Sequence, residues 1–355
     1  MPRAGWLEAR EESRLRRAAL LPLAAAAALY GAGARIHRSL YRRGLLRARR
    51  VPGSVVSVGN LTLGGNAKTP AAAWLASALQ RRGHKVALAS RGHGGRGGPG
   101  VVVVSDGRSA RGRAEEVGDE ALVLAAHAPG VPVLVARDRG RAALHALEAF
   151  GADLLVLDDG FQHHRLARDL DLLLVDAAAG FGNRRVVPRG PLREPLRALR
   201  FADAVGFVDG EPAAAELAAL ARFAPQARRF RARRRPAALR PLDGGPEAPP
   251  ESLAGAEVGI VSGLARPAAL RATLEGLGAR VVAERRFGDH HRYRPRDLVG
   301  LAGGAPLWIT TEKDALKISA DWLAGAELRV LAIELEVEAA GDLLDWIEGR
   351  LALGP

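Results

Sequence analysis

Residues 55–71, VVSVGNLTLGGNAKTPA, constrain the fold more than any other part of the chain. The β-formers Val55, Val56 and Val58 run through Gly59 and Asn60 into Gly64-Gly65, and Lys68-Thr69 open an apolar periodic segment. That order reads as a strand, a glycine-rich turn and a helix start. Glycines let backbone N–H groups crowd around an anion, and the helix N-terminus adds partial positive charge. Lys68 would reach outer phosphates, Thr69 would offer a hydroxyl to Mg²⁺, and Pro70 suits a first helical turn that needs no donor. The candidate phosphate-binding residues are therefore Gly64, Gly65, Asn66, Ala67, Lys68 and Thr69. The usual P-loop has glycine just before the lysine and again five residues earlier, where this chain has Ala67 and Thr62. An ordinary glycine-rich turn is the competing reading. Lysine usage favours the first: Lys68, Lys85, Lys313 and Lys317 are the only lysines among 52 basic residues, so a lysine here is specified.

At 355 residues and 48% hydrophobic content, the chain can build two cores, since single cores rarely grow beyond about 250–300 residues. The absence of cysteine excludes disulfides, thiolate metal sites and cysteine nucleophiles. Net charge is +13, and residues 1–50 supply +9 of it through twelve arginines against three glutamates. Basic charge concentrated beside an apolar run points to an anionic membrane surface; a nucleic-acid surface would spread it over a folded face. The apolar run, residues 18–34, is alanine-rich, interrupted by Pro22 and barely as long as the about 20 residues of a membrane span. It reads as an interfacial helix lying on the bilayer, with a signal peptide and a soluble amphipathic helix as alternatives.

Beyond the loop, strands and helices alternate: helix 70–82, strand 85–90, short strand 101–104, helix 115–127, strand 131–136, helix 139–150 and strand 154–157. Arg91 and His93 lie in a glycine-rich loop at the carboxyl end of a strand, where open α/β sheets bind ligands; a plain surface loop fits equally. Asp119 and Glu120 sit early in a helix, where the dipole alone would favour carboxylates. Strand 154–157 runs into Asp158-Asp159-Gly160-Phe161-Gln162-His163, the form of a Walker B element whose carboxylate holds Mg²⁺ or its water. No zinc-ligand spacing surrounds His163 and His164.

Strand 172–176 leads to residues 180–197, GFGNRRVVPRGPLREPLR. Its guanidinium forks suit oxyanions, although a solvated arginine-rich loop would read the same. A strand from 202, a helix over 213–223, a basic extended segment over 228–235 and a proline-rich linker over 236–250 follow. A second α/β pattern has strand 257–262, helix 267–277, strand 280–284, helix 295–302 and strand 307–311. Strand 328–338 is placed to pair with 228–235 as a bridge, and a last helix closes the chain near 351. The expected division is a basic segment 1–50, a P-loop domain 51–227, a smaller domain 228–338 with bridging strands at its ends, and a terminal helix 339–355.

The stretches SVGNLTLGGNAKTP, SRGHGG, GDEA, DDGFQHHRLARDLDLLLVDA, GNRRVVPRGPLREP, FGDHHRY and TTEKDALK, in that order, resemble the tetraacyldisaccharide 4'-kinase family, the lipid A 4'-kinases. They span about residues 51–318. The resemblance implies a P-loop NTPase-like three-layer domain plus a smaller Rossmann-like α/β domain, with ATP and Mg²⁺ as cofactors. It implies transfer of the ATP γ-phosphoryl to the 4'-hydroxyl of a tetraacylated disaccharide 1-phosphate at the cytosolic face of the bacterial inner membrane, with no nucleic-acid partner. By motif it gives Lys68 and Thr69 to the P-loop and Asp158 and Asp159 to the metal, joined by Glu120. Asp119 takes the position of the general base, supported by His290. Asn60, Arg91, His93, Gln162, His163, Asn183, Arg193 and Glu194 fall on the substrate side, and arginines of the 182–197 loop face the 1-phosphate. The chain departs from the family at Ala67, usually glycine, at His93, usually aromatic, and at Ala121, usually proline. A Cβ at Ala67 would weaken ATP binding if it met phosphate. Two rivals remain: a P-loop enzyme with a soluble substrate, although no Asn-Lys-x-Asp guanine signature is present, and a non-catalytic membrane- or nucleic-acid-binding protein with a degenerate loop.

Overall fold

The structure, a computed structural model, describes residues 19–64, 67–95, 98, 100–264, 267–289 and 291–352. Helix α1 (Leu21–Arg42) leads into a sheet of twelve strands. The amino-terminal elements are β1 (Ser54–Gly59), α2 (Lys68–Arg81), β2 (Val86–Ser90), β3 (Val102–Asp106), α3 (Ala114–Val117) and α4 (Asp119–His127). There follow β4 (Pro132–Val135), α5 (Arg139–Phe150), β5 (Leu154–Asp158), β6 (Leu170–Asp176), β7 (Ala204–Val208) and α6 (Ala214–Phe223). The remainder comprises β8 (Arg228–Pro241), β9 (Glu257–Ser262), α7 (Pro267–Gly276), β10 (Arg280–Arg286), β11 (Leu307–Thr311), α8 (Glu312–Ala315), β12 (Leu328–Val337) and α9 (Ala340–Ala352).

Strand order is β10-β9-β11-β12-β8-β7-β6-β1-β5-β2-β4-β3. Neighbours run parallel except β8 with β12 and β3 with β4. From β1 the chain builds outward on the β5 side and later on the β6 side, so the carboxyl end of β1 is a switch point where a ligand crevice opens. Alternate residues of the central strands face opposite layers. Val56, Val58 and Val156 share one apolar cluster with residues of α2, α4 and α9, while Val55, Leu155 and Leu157 share another with Ala142, Ala143 and Ala146 of α5. That period of two, with both faces covered, is why these strands read as continuous apolar runs.

The helix expected over 115–127 is two helices broken at Gly118, whose φ of 88° and ψ of 142° only glycine adopts readily. A Cβ there would lie 2.6 Å from the carbonyl oxygen of His93, so the GDEA and SRGHGG motifs press backbone on backbone. The helix expected over 295–302 is only a 3-10 turn, Pro295–Asp297. Gly300 turns left-handed at φ 77°, and the Leu301 carbonyl accepts the Trp308 indole N–H at 2.8 Å in place of a helical bond.

The expected linker over 236–250 is strand as far as Pro241, with a bulge where Pro236 pairs with Ile333. Proline is tolerated because β8 has left β7 after Ala232 and pairs with β12 alone until Leu239, where Ala248 bridges to its other edge. Since β12 contacts β11 only from Leu328 to Leu331, the middle of the β8–β12 pair is a two-stranded ribbon. α1 continues past the apolar run to Arg42 and packs on the 180–197 loop, with Gly31 beside Val186 and Pro195. Leu29, Tyr30 and Ile36 are exposed on α1, and among the described residues no helix is long and apolar enough to cross a membrane.

Candidate active site

The carboxyl ends of β1, β2, β4 and β5 bring the motifs together. Asn60, fully buried after β1, donates from Nδ2 to the Gly64 carbonyl at 3.3 Å and accepts Lys68 Nζ at 3.2 Å. Its own carbonyl accepts Gln162 Nε2 at 3.0 Å. Asn60 thus braces the loop and the lysine. Backbone bonds from Leu63 to Pro191 (2.7 Å) and from Arg193 to Leu61 (2.7 Å) strap the loop to the GPLREP motif. Gly65 and Asn66 lie outside the described residues. Ala67 is left-handed, with φ 56° and ψ 24°, and its methyl is buried in the apolar cluster that contains Ala71.

Lys68 and Thr69, the first two residues of α2, reach across to the end of β5. The Thr69 hydroxyl donates to Asp158 Oδ2 at 3.0 Å, and Lys68 Nζ lies 3.4 Å from Asp159 Oδ1. Burial, then the charges of Glu120 and Asp159, push the Asp158 pKa up to about 7, against the opposing pull of Lys68 and Thr69. Its Oδ1 is buried without a hydrogen-bond partner. Asp159 is left-handed at φ 55°. Burial would raise its pKa, but Lys68 and Arg193 outweigh burial and hold it below the usual carboxylate range. Arg193 Nη1 donates to both Asp159 oxygens, at 2.9 and 2.7 Å.

Asp119 opens α4 at 5% exposure. Its Oδ1 accepts the Glu120 N–H at 3.0 Å, and Lys317 Nζ stands 3.4 Å from its Oδ2. Lys317 also lies 3.6 Å from fully buried Asp314, which accepts the Gly263 N–H and the Thr311 hydroxyl, each at 2.9 Å. The TTEKDALK motif thereby carries a cation to the candidate base. Glu312 of the same motif bonds His127 at the other end of α4, at 2.8 Å.

Gln162 and His163 line the crevice half-buried, and burial, then Arg139 and Arg168, lower the His163 pKa to about 4, so it is neutral at pH 7. Arg91 and His93 are exposed at the mouth. Asn183 is turned to its own loop, donating to the Arg189 carbonyl at 2.9 Å and accepting the Arg185 N–H at 3.0 Å. Glu194 is paired with Arg38 of α1. His290 lies outside the described residues.

Arg139 and Lys317 join the site from outside the sequence motifs that name candidate residues. Arg139, 5% exposed at the start of α5, faces Asp158 and Asp159, and its Nε has no partner. Burial, then Arg91, keep its pKa below the ordinary arginine value. The signal was available: Arg137-Asp138-Arg139 ends a strand on the ligand edge, and Asp138 caps the next helix through the Gly140 N–H at 2.9 Å. Lys317 was one of four lysines, and the scarcity that singled out Lys68 applies to it equally.

The family model described as LpxK, tetraacyldisaccharide-1-P 4'-kinase, matches residues 17–352. This chain belongs to that family. An LpxK relative named tetraacyldisaccharide 4'-kinase, from Anaeromyxobacter sp. (strain K), is 44% identical over 348 residues, 94% of this chain and 91% of the relative. Another of that name, from Halorhodospira halophila, is 40% identical over 93% of this chain and 91% of its own length. The crystal structure described as the "apo" form of LpxK from Aquifex aeolicus in complex with ATP superposes with a TM-score of 0.76 at 30% identity, covering 94% of this chain and 99% of that one.

Proposed function

We propose that this protein is the ATP-dependent kinase that phosphorylates the 4'-hydroxyl of tetraacyldisaccharide 1-phosphate, a step of lipid A synthesis. The observation that carries the reading is the junction of the two motifs, Thr69 on Asp158 and Lys68 on Asp159, beside buried Asp119 in a member of the LpxK family. The relatives' names give the reaction, and the ATP in the Aquifex aeolicus LpxK structure supports ATP as phosphoryl donor.

The donor set suits Mg²⁺. Asp158 has a buried oxygen without a partner, and burial, then Glu120 and Asp159, push its pKa up, an environment that a cation would relieve. Mg²⁺ is usually held by one or two carboxylates together with phosphates and water, and this junction supplies the carboxylates. Asp158, Thr69 and Glu120 would hold it, with Asp159 close by. Bound there, the ion would offset charge on the phosphate oxygens.

The protein's own groups do the rest. Lys68 and Arg139 place positive charge beside the transferring phosphoryl, and Arg193 fixes Asp159. Asp119 accepts the proton of the attacking hydroxyl, positioned by Lys317 and, on the resemblance, by His290. Gln162, His163, Arg91 and His93 line the acceptor's path, with buried Asn60 bracing the loop behind them, while exposed Arg185 and Arg197 are the candidates for its 1-phosphate. α1, with exposed Leu29, Tyr30 and Ile36, would lie on the cytosolic face of the inner membrane, where an acylated substrate resides. The division proposed is a P-loop domain over 51–227 and a smaller domain over 228–338; the cluster around Val258, Ile260 and Leu270 supports a second core, while the main cluster also takes in Ala232, Leu335 and Val337 from the bridging strands.

The test is incubation of purified protein with radiolabelled ATP, Mg²⁺ and the lipid disaccharide 1-phosphate. Label in the lipid product is expected; none, under conditions where an established enzyme of this kind works, overturns the reading.

A further inference from the structure

Arg38 is a charged residue of α1 that is 6% exposed. Its Nε and Nη2 donate to Glu194 at 2.8 and 2.7 Å, and the Glu194 side chain is itself only 5% exposed. The guanidinium lies between two rings, 4.5 Å from the Phe161 centroid and 4.6 Å from that of Phe201, and Nη2 points to the Phe161 carbonyl at 3.4 Å. An exposed ion pair would contribute little, whereas a buried, two-pronged and stacked one fixes what it touches.

Both of its attachments lead to the same turn. Glu194 follows Arg193, whose Nη1 donates to both Asp159 oxygens. Phe161 follows Asp159-Gly160 and is wedged against β1, where a Cβ on Gly59 would lie 2.7 Å from the Phe161 Cβ. The turn between these clamps holds Asp159 in a left-handed conformation that a β-carbon disfavours, and such a conformation persists only where surrounding contacts impose it.

We infer that Arg38 is a positioning residue for the Asp158-Asp159 turn: through Glu194 and Phe161, α1 holds Asp159 in place, so α1 and the metal-binding turn move as one unit. This rests on the proposed role of that turn in holding metal and nucleotide. It also assigns Glu194 a partner on α1, where the family motif had placed it beside substrate.

Removing Arg38 alone would leave a buried Glu194 charge and risk the fold. The test variant is therefore the pair R38M/E194Q, which keeps volume and removes both charges. Three quantities are measured: melting temperature, Mn²⁺ affinity in the presence of a non-hydrolysable ATP analogue by electron paramagnetic resonance, and kcat and KM for the lipid. The expected result is a folded protein whose Mn²⁺ affinity and kcat each fall at least about tenfold, as for residues that orient metal ligands. KM for the lipid should stay within about twofold, separating positioning from substrate binding. A folded pair variant with parental Mn²⁺ affinity and kcat overturns the proposal and leaves Arg38 a staple for the helix. If the pair variant does not fold, R38K, which keeps the charge but loses the fork, is measured instead, and parental Mn²⁺ affinity in it overturns the proposal. If the parent binds Mn²⁺ and nucleotide but transfers no phosphate to lipid, the kinase reading fails while the Mn²⁺ measurement still decides the role of Arg38.

Discussion

Replacing Ala67 with glycine, the residue usual at that P-loop position, tests where its methyl points. A left-handed alanine costs about 1–2 kcal/mol, which glycine would recover. Against this, Ala67→Gly deletes a methyl that is 93% shielded, worth about 0.8 kcal/mol, because Ala67 is 7% exposed. It also frees the unfolded chain, by about 0.4–1 kcal/mol. Gains and losses nearly cancel, so stability should change by less than about 1 kcal/mol and the melting temperature by no more than about 2–4 °C. Since the methyl packs with Ala71 in the core, KM for ATP should stay within about twofold. Ala67→Val, by contrast, places a branched side chain in both a left-handed conformation and a filled core, at about 2–4 kcal/mol. Thermal melts and ATP titrations of both variants decide the matter. A tenfold tighter ATP interaction in the glycine variant would mean that the methyl stands in the phosphate's way, and would refute this placement.

Lys317→Met leaves Asp119 and Asp314 as buried carboxylates without their shared cation, so denaturant unfolding should show a loss of about 3–5 kcal/mol and steady-state kinetics a lower kcat with KM for ATP little changed. Asp158→Asn removes a carboxylate that burial, Glu120 and Asp159 disfavour in the metal-free protein. It should raise the metal-free melting temperature, abolish the further rise on adding Mg²⁺ and ATP, and cut turnover at least about 100-fold. The His164 pKa is lowered to about 3, first by burial and then by Arg38. A histidine whose folded pKa lies below its unfolded value of 6.5 favours folding above pH 6.5 and opposes it as pH falls from 6.5 toward 3, by about 1.4 kcal/mol per pH unit. His163 titrates in the same window in the same sense and Asp158 in the opposite one, so the contribution is read as a difference: in denaturant melts between pH 7 and pH 4 the parent should lose stability relative to His164→Phe, and equal slopes would refute it. Because His164 packs on His37 and Tyr41, protection of the α1 amides from hydrogen exchange should fall with it.

The elements that position the candidate site were legible because each had a one-dimensional signature. Helix Arg139–Phe150 and strands Glu257–Ser262 and Leu307–Thr311 fall where periodicity put them, and the strand ending in Asp158 and the helix starting at Lys68 differ by a residue or two. The pairing of Leu328–Val337 with the 228–235 segment also follows from the sequence, since both are long extended runs. What escaped depends on three dimensions. Pro236 reads as a breaker until β8 is seen to have only one neighbour there. Gly118 reads as a helical residue until the His93 carbonyl is found against it. Arg38, Arg139 and Lys317 come from segments far from the loop they serve, and burial, the property that distinguishes them from routine arginine and lysine, has no local signature.

The stretch where β8 and β12 have only each other gives the sheet uneven stiffness along its length. Flanking regions are three or more strands wide and covered by helices, so they act as levers, and bending concentrates in the ribbon from Arg233 to Ala238, where the bulge at Pro236 already increases twist. The levers are pinned beyond that flexure by Lys317 on Asp119 and Glu312 on His127. A rotation about the ribbon would be felt at those pins, which ties the candidate base to the angle between the two halves.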